Sequence, residues 1–233
     1  MADERAFEDR RDAGRRLAPL LLRARSDRLL DHRFSGGGQA DPGSEDIVVL
    51  GLPRGGVPVA FEIARALDAT LDVFLVRKLG TPGHPELAMG AIASGSTRVI
   101  NDDVVQALGI APEQIEAVAQ REQSELERRD AVYRRGRSLT PLANRTVILV
   151  DDGLATGSTM KAAVQAVRQH DPSRVIVAVP VGAPETCRAL REITDAVICL
   201  HTPSSFSAVG QWYRDFSQTT DEEVIALLSE SPG

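Results

Sequence analysis

A chain of 233 residues, 42% of them hydrophobic, can bury a substantial core, which excludes a disordered polymer and fits one large α/β domain or a domain with a small appendage. A formal net charge of -6 excludes a broad basic face of the kind that grips a phosphate backbone, so nucleic acid is not an expected partner. No apolar run approaches the ~20 residues that span a bilayer, and the opening MADERAFEDRRD is charged where a leader needs an apolar core; no membrane contact is expected, and the expected compartment is the cytoplasm.

From Phe7 to about Leu30 the pattern is helical, with Ala13, Leu17, Leu20, Leu21 and Ala24 on one face, so residues 1–34 read as a helix packed on the domain. Residues 35–45, rich in glycine and punctuated by Pro42, read as a linker. The main domain, 46–216, opens with a βαβ unit: IVVLG as a buried strand, Val57 to Leu67 as a helix, and LDVFLV as a second strand. AMGAIASGSTRVI reads as a hairpin turning at Gly95-Ser96. Within a helical insertion at about 101–137, Pro112 to Arg135 forms a long polar helix supported by the pair Glu125 and Arg129, read as a solvated structural arm.

A second alternating series follows: VILV, a helix from about Gly157 to His170, the strand VIVAVPV, a helix around Glu185 to Glu192, and the strand AVICL. Continuous apolar strands between helices imply an α/β fold with a mostly parallel sheet covered on both faces, plus a small hood or helical appendage. Residues 217–233 form a C-terminal helix and tail. Cys187 and Cys199 lack metal-site spacing and read as buried thiols, and no protein metal site is expected.

The sharpest signal is VILVDDGLATGST, Val147 to Thr159, a buried strand delivering two acids and then a small, hydroxyl-rich loop that opens a helix. The first amides of a helix lack intrahelical partners and its dipole is positive there, so an anion gains ~0.3–1 kcal/mol from the dipole, plus hydrogen bonds. Thr156, Ser158 and Thr159 add hydroxyl donors, and Gly157 admits a phosphate to the backbone. A phosphate alone has no use for paired carboxylates, whereas Asp151 and Asp152 can accept hydrogen bonds from vicinal ribose hydroxyls and favour positive character at the anomeric carbon. The loop lacks the lysine of G-x-x-x-x-G-K-[ST], and no G-x-G-x-x-G follows a strand, which sets aside nucleoside-triphosphate and dinucleotide sites.

This stretch resembles the phosphoribosyl pyrophosphate (PRPP) signature of type I phosphoribosyltransferases, and with Ala155 in the loop it is most similar to the adenine-type version. The resemblance implies that Ala155, Thr156, Gly157, Ser158 and Thr159 bind the 5′-phosphate, and Ala155 argues against a base inside the loop. It also implies a pyrophosphate loop at Leu52-Pro53-Arg54-Gly55-Gly56, where an unusual cis peptide is expected and where Arg54 and Gly55 meet the diphosphate. Arg77 and Lys78, taken as the end of the second strand, resemble the family's pyrophosphate-contacting pair. Leu79 to Glu86 would be the mobile lid, whose closure would bring His84 and Glu86 toward the nucleophile. Phe206, in the tail before Trp212 and Tyr213, would stack on the acceptor base, while Trp212 and Tyr213 are expected to pack.

The implied reaction transfers ribose 5-phosphate from PRPP to a nitrogenous acceptor, with a nucleobase expected, and releases pyrophosphate. Mg2+ would be bound mainly through the diphosphate. The acceptor and the base stay open, as does a homodimer. The rival reading is a non-catalytic, PRPP-sensing regulatory protein, because fold alone does not separate the two.

Overall fold

The computed structural model describes residues 7–26 and 47–230; the expected linker at 35–45 and any helix beyond Ser26 lie outside them. Five parallel strands form the central sheet: β1 (Ile47–Gly51), β2 (Thr70–Val73), β6 (Thr146–Val150), β7 (Arg174–Val181) and β8 (Ala196–His201), in the order β2-β1-β6-β7-β8. β1 and β6 are buried along their whole length, as expected of strands covered on both faces. Alternate residues serve opposite layers. Val49, Ile148, Val150 and Ile176 join one core with helices α1 (Arg10–Ser26) and α2 (Gly56–Leu67), whereas Leu50, Val147, Leu149 and Val177 join another with α5 (Ser158–Arg168) and α6 (Pro184–Arg191).

α1 packs on α2 through Leu17, Leu21 and Ala24, and Ala13 is buried against Phe7 and Tyr213, but Leu20 is exposed. The five helical positions span a wider arc than the contact with α2 covers.

Two expectations change in the middle of the chain. LDVFLV is not one strand: β2 ends at Val73, Phe74 and Leu75 turn the chain, and β3 (Val76–Thr81) starts a separate antiparallel sheet with β4 (His84–Ala93) and β5 (Thr97–Ile100). Leu79 to Glu86, the segment expected as a lid, therefore belongs to a hairpin turning at Pro82-Gly83, and the β4–β5 hairpin turns at Gly95-Ser96 as expected.

The second change concerns the polar helix. After α3 (Asp102–Leu108), α4 (Pro112–Arg134) buries Ile115, Ala119, Leu126 and Tyr133 and lies against β3 and α7 (Asp221–Glu230). Only its outer face is solvated, where Glu125 accepts from both Arg128 and Arg129 at 2.8 Å. Cys187 is a buried free thiol, as expected, whereas the free thiol of Cys199 is half-buried and its Sγ donates to the His201 carbonyl at 3.1 Å. Among the described residues no helix is long and apolar enough to cross a membrane.

Candidate functional site

β1 is followed by β2 on one side and paired with β6 on the other, so the loops leaving the carboxyl ends of β1 and β6 diverge. In open α/β sheets the resulting crevice is where ligands bind. The β1 loop is tied to its neighbour by the Leu52 N–H, which donates to the Val150 carbonyl at 2.9 Å. It contains the expected cis peptide, between Pro53 and Arg54.

Gly55 then meets the β6 loop so closely that a Cβ there would lie 2.1 Å from Asp152 Oδ2. The absence of a side chain at Gly55 is what lets the two loops share one crevice.

The β6 loop is fixed at three points. Leu154 N–H donates to the Val181 carbonyl at 2.9 Å, Ala183 N–H to the Leu154 carbonyl at 2.9 Å, and Thr186 Oγ1 to the Ala155 carbonyl at 2.6 Å. Gly157 has φ +69, and a Cβ on it would lie 2.4 Å from Thr186 Cγ2. Both facts require glycine, a reason different from the expected close approach of a phosphate. Ala155, Thr156, Ser158 and Thr159 are exposed, and no side chain caps the start of α5. Ser158 Oγ lies 3.3 Å from Thr156 Oγ1. An exposed helix start with uncapped amides and converging hydroxyls is suited to an anion.

The two acids at the end of β6 are half-buried and differ in their partners. Asp151 Oδ1 accepts the Asp152 N–H at 2.9 Å. Burial pushes the Asp151 carboxyl well above the usual carboxylate range, and the charge of Asp152 adds to it. Burial raises Asp152 as well, opposed by the hydrogen bond and charge of Arg10, whose Nε lies 2.8 Å from Asp152 Oδ2. Tyr213 donates its hydroxyl to the Asp152 carbonyl at 2.6 Å.

The remaining expected residues spread around this centre. Arg54 leans toward Asp221 at the start of α7, at 3.7 Å. Arg77 and Lys78 lie within β3, where neighbouring side chains point to opposite faces. Arg77 pairs with Glu122 of α4 at 2.6 Å, while Lys78 lines a small slot of about 80 Å3 with Ser158 and Thr159. The structure thus places Lys78, and not Arg77, beside Ser158 and Thr159.

Phe206 is half-buried in the segment after β8. Trp212 stacks on His201 at 5.6 Å, and Tyr213 packs on Phe7 at 5.2 Å, both as packing residues. His84 is exposed at the start of β4, which also contains Glu86. A larger cavity of about 480 Å3, beside Gly95 and Arg134, shares no lining residue with the site.

Sequence reasoning missed Arg10 and the Tyr213 hydroxyl as neighbours of Asp152. Arg10 stands out in the sequence only as one of several arginines on the first helix, and its partner is 142 positions away.

Comparison with known proteins agrees with this geometry. Two curated proteins from Mycobacterium tuberculosis strains, provisionally named phosphoribosyl transferases, are 47% identical over 225 residues, which is 97% of this chain and 47% of theirs. The chain thus spans about half the length of these curated relatives. The crystal structure of TT1426 from Thermus thermophilus superposes with a TM-score of 0.82 at 43% identity, covering 98% of this chain and 100% of that one. AQ2163 from Aquifex aeolicus shares the fold, with a TM-score of 0.51 at 16% identity over 86% of this chain and 78% of that one. The family described as "Phosphoribosyl transferase domain" matches residues 28–216; with its parallel sheet and the crevice between β1 and β6, the chain belongs to that family.

Proposed function

We propose that the crevice binds PRPP and that the protein transfers its ribose 5-phosphate to a nitrogenous acceptor, releasing pyrophosphate. One observation carries the reading: a carboxylate pair and an exposed, uncapped helix start stand at opposite ends of one short loop, Asp151 to Thr159, at the topological switch point. The 5′-phosphate would lie on the amides of α5 and the hydroxyls of Thr156, Ser158 and Thr159, with Lys78 beside them. The ribose hydroxyls would donate to Asp151 and Asp152, and the diphosphate would extend toward Arg54 and Gly55. Phe206 would face the acceptor base.

In the reaction the acceptor nitrogen forms a bond to the anomeric carbon as the bond from that carbon to the diphosphate oxygen breaks. Pyrophosphate leaves with the electron pair, and the acceptor gives up a proton. The carboxylates stabilise positive charge on the sugar, and Arg54 offsets negative charge on the leaving group. Mg2+ would arrive with the substrate, neutralising the diphosphate; an oxygen-only environment suits that ion, which is commonly held by phosphate oxygens and water.

Replacing both Asp151 and Asp152 by Asn tests the reading. Calorimetric titration with Mg-PRPP should show binding to the native protein and none to the double variant, whose circular dichroism should be unchanged. Undiminished binding by the variant would remove the assignment. Pyrophosphate release measured across purines, pyrimidines and small amines then identifies the acceptor, and tight PRPP binding without turnover of any acceptor would mark a PRPP sensor.

A further inference from the structure

The first turn of α1 reaches into the crevice. Arg10 donates from Nε to Asp152 Oδ2 at 2.8 Å and from Nη1 to the Ser217 carbonyl at 2.6 Å. Its guanidinium lies 4.0 Å from the centre of the Phe216 ring. The side chains of Arg10 and Asp152 are only 12% and 16% exposed, so this is an interior contact rather than a surface ion pair of negligible weight. A Cβ on Gly55 would lie 3.0 Å from the same Nε, which puts the guanidinium, the Asp152 carboxylate and the β1 loop in one packed cluster.

We infer that Arg10 is a positioning residue of the sugar-phosphate site: its guanidinium clamps the Asp152 carboxylate between Gly55 and the 213–217 segment, making the N-terminal helix part of the site. The inference rests on the reading of the crevice as a PRPP site, because it assigns a task to Asp152.

Two neighbouring carboxylates at a half-buried strand end repel each other, and one of them takes up a proton or turns away unless a cation holds it. Arg10 is that cation. Its planar fork meets Asp152, Ser217 and the Phe216 ring from one fixed orientation, which an ammonium does only in part. The groups around Asp152 and Arg10 are Asp151 just after β6, Asp9 just before α1, and Tyr213 and Asp215 from the tail. Gly55 brings no charge, and Arg54 is turned to Asp221. Arg10 is the one cation bonded to Asp152 among the described residues.

The test compares Arg10→Met, Arg10→Lys and Arg11→Met. Arg11 is its neighbour on α1 but pairs with Glu62 at 2.7 Å, away from the crevice, so its variant reports what loss of an α1 ion pair does by itself. By calorimetry, Arg10→Met should weaken Mg-PRPP binding on the order of tenfold or more, the scale of a lost charge-assisted hydrogen bond. Arg10→Lys should recover most of that loss, and Arg11→Met should bind as the native protein does. In the ligand-free protein, carbon NMR of the Asp152 carboxyl should show its titration moving to higher pH in Arg10→Met and moving back in Arg10→Lys.

Equal weakening by Arg10→Met and Arg11→Met, or an Asp152 titration unmoved by either Arg10 substitution, would overturn the inference. The carboxyl titration needs no ligand. A native protein that ignores PRPP therefore sinks the proposed function, while the NMR still decides whether Arg10 holds Asp152. Should Arg10→Met fail to fold, Arg10→Lys decides alone: a binding loss as large as that of Asp152→Asn, with the carboxyl titrating as in the native protein, refutes the clamp.

Discussion

Gly55→Ala offers a sharp separation of site from fold. Gly55 has φ -63 and ψ -30, a right-handed helical conformation that alanine adopts freely, so the substitution adds no backbone strain. The added methyl meets Asp152 Oδ2 at 2.1 Å and Asp152 Cγ at 2.8 Å. Carbon and oxygen in the closest ordinary contacts lie ~3.3 Å apart, so the carboxylate has to retreat by roughly 1.2 Å, taking the Arg10 guanidinium with it. A misplacement of about 1 Å in a binding constellation can cost on the order of 100-fold in function. The stability change is smaller, because about 1–3 kcal/mol of overpacking is partly offset by about 0.4–1 kcal/mol from the stiffer unfolded chain. Calorimetric titration with Mg-PRPP, run beside a urea melt, reads both quantities. If Gly55→Ala bound PRPP within about threefold of the native protein, the Asp152 carboxylate would not be where the sugar sits, and the argument from loop convergence would fail.

Two further outcomes are expected. Gly157→Ala should lower unfolding stability by about 2–4 kcal/mol, from a left-handed φ of +69 and a Cβ 2.4 Å from Thr186 Cγ2; an unchanged urea midpoint would refute the account of that turn. Asp151→Asn should flatten the dependence of Tm on pH. Burial raises the folded carboxyl above its unfolded value, so the stability it contributes is full below the ordinary carboxylate range, ~4, and is lost as pH rises through the raised folded value. A native-like fall of Tm with pH in the Asn variant would count against that assignment.

How far the fold was legible follows from what periodicity encodes. IVVLG, VILV and VIVAVPV are continuous apolar runs because strands in the middle of a parallel sheet are buried on both faces, and each lies where its pattern places it. The same continuity concealed the sheet change after β2. Val73, Phe74 and Leu75 are all buried, and nothing in their composition marks that the chain leaves one sheet and enters another. In α4 the signal was present but outweighed: Ile115, Ala119, Leu126 and Tyr133 recur at helical spacing, and a narrow apolar stripe suffices to dock a helix whose other faces are charged.

The candidate site divides along the same line. What one segment holds by itself is legible: the strand, the acids and the helix start of Val147 to Thr159 are consecutive, so their order alone predicts that they converge. What depends on distant segments is not legible. Nothing local to Asp152 calls for an arginine from the first turn of α1, and Arg10 reaches it where α1 packs on α2 and the chain at 214–217 bonds back to Phe7, Glu8 and Arg10. The pair Arg77-Lys78 shows the intermediate case. Adjacent in sequence, the two residues were expected to act together, but strand geometry sends one to Glu122 and the other to the slot beside Ser158 and Thr159. Neighbours in sequence therefore need not face one crevice: the pleat of β3 separates this pair, and the cation bonded to Asp152 comes instead from the first turn of α1.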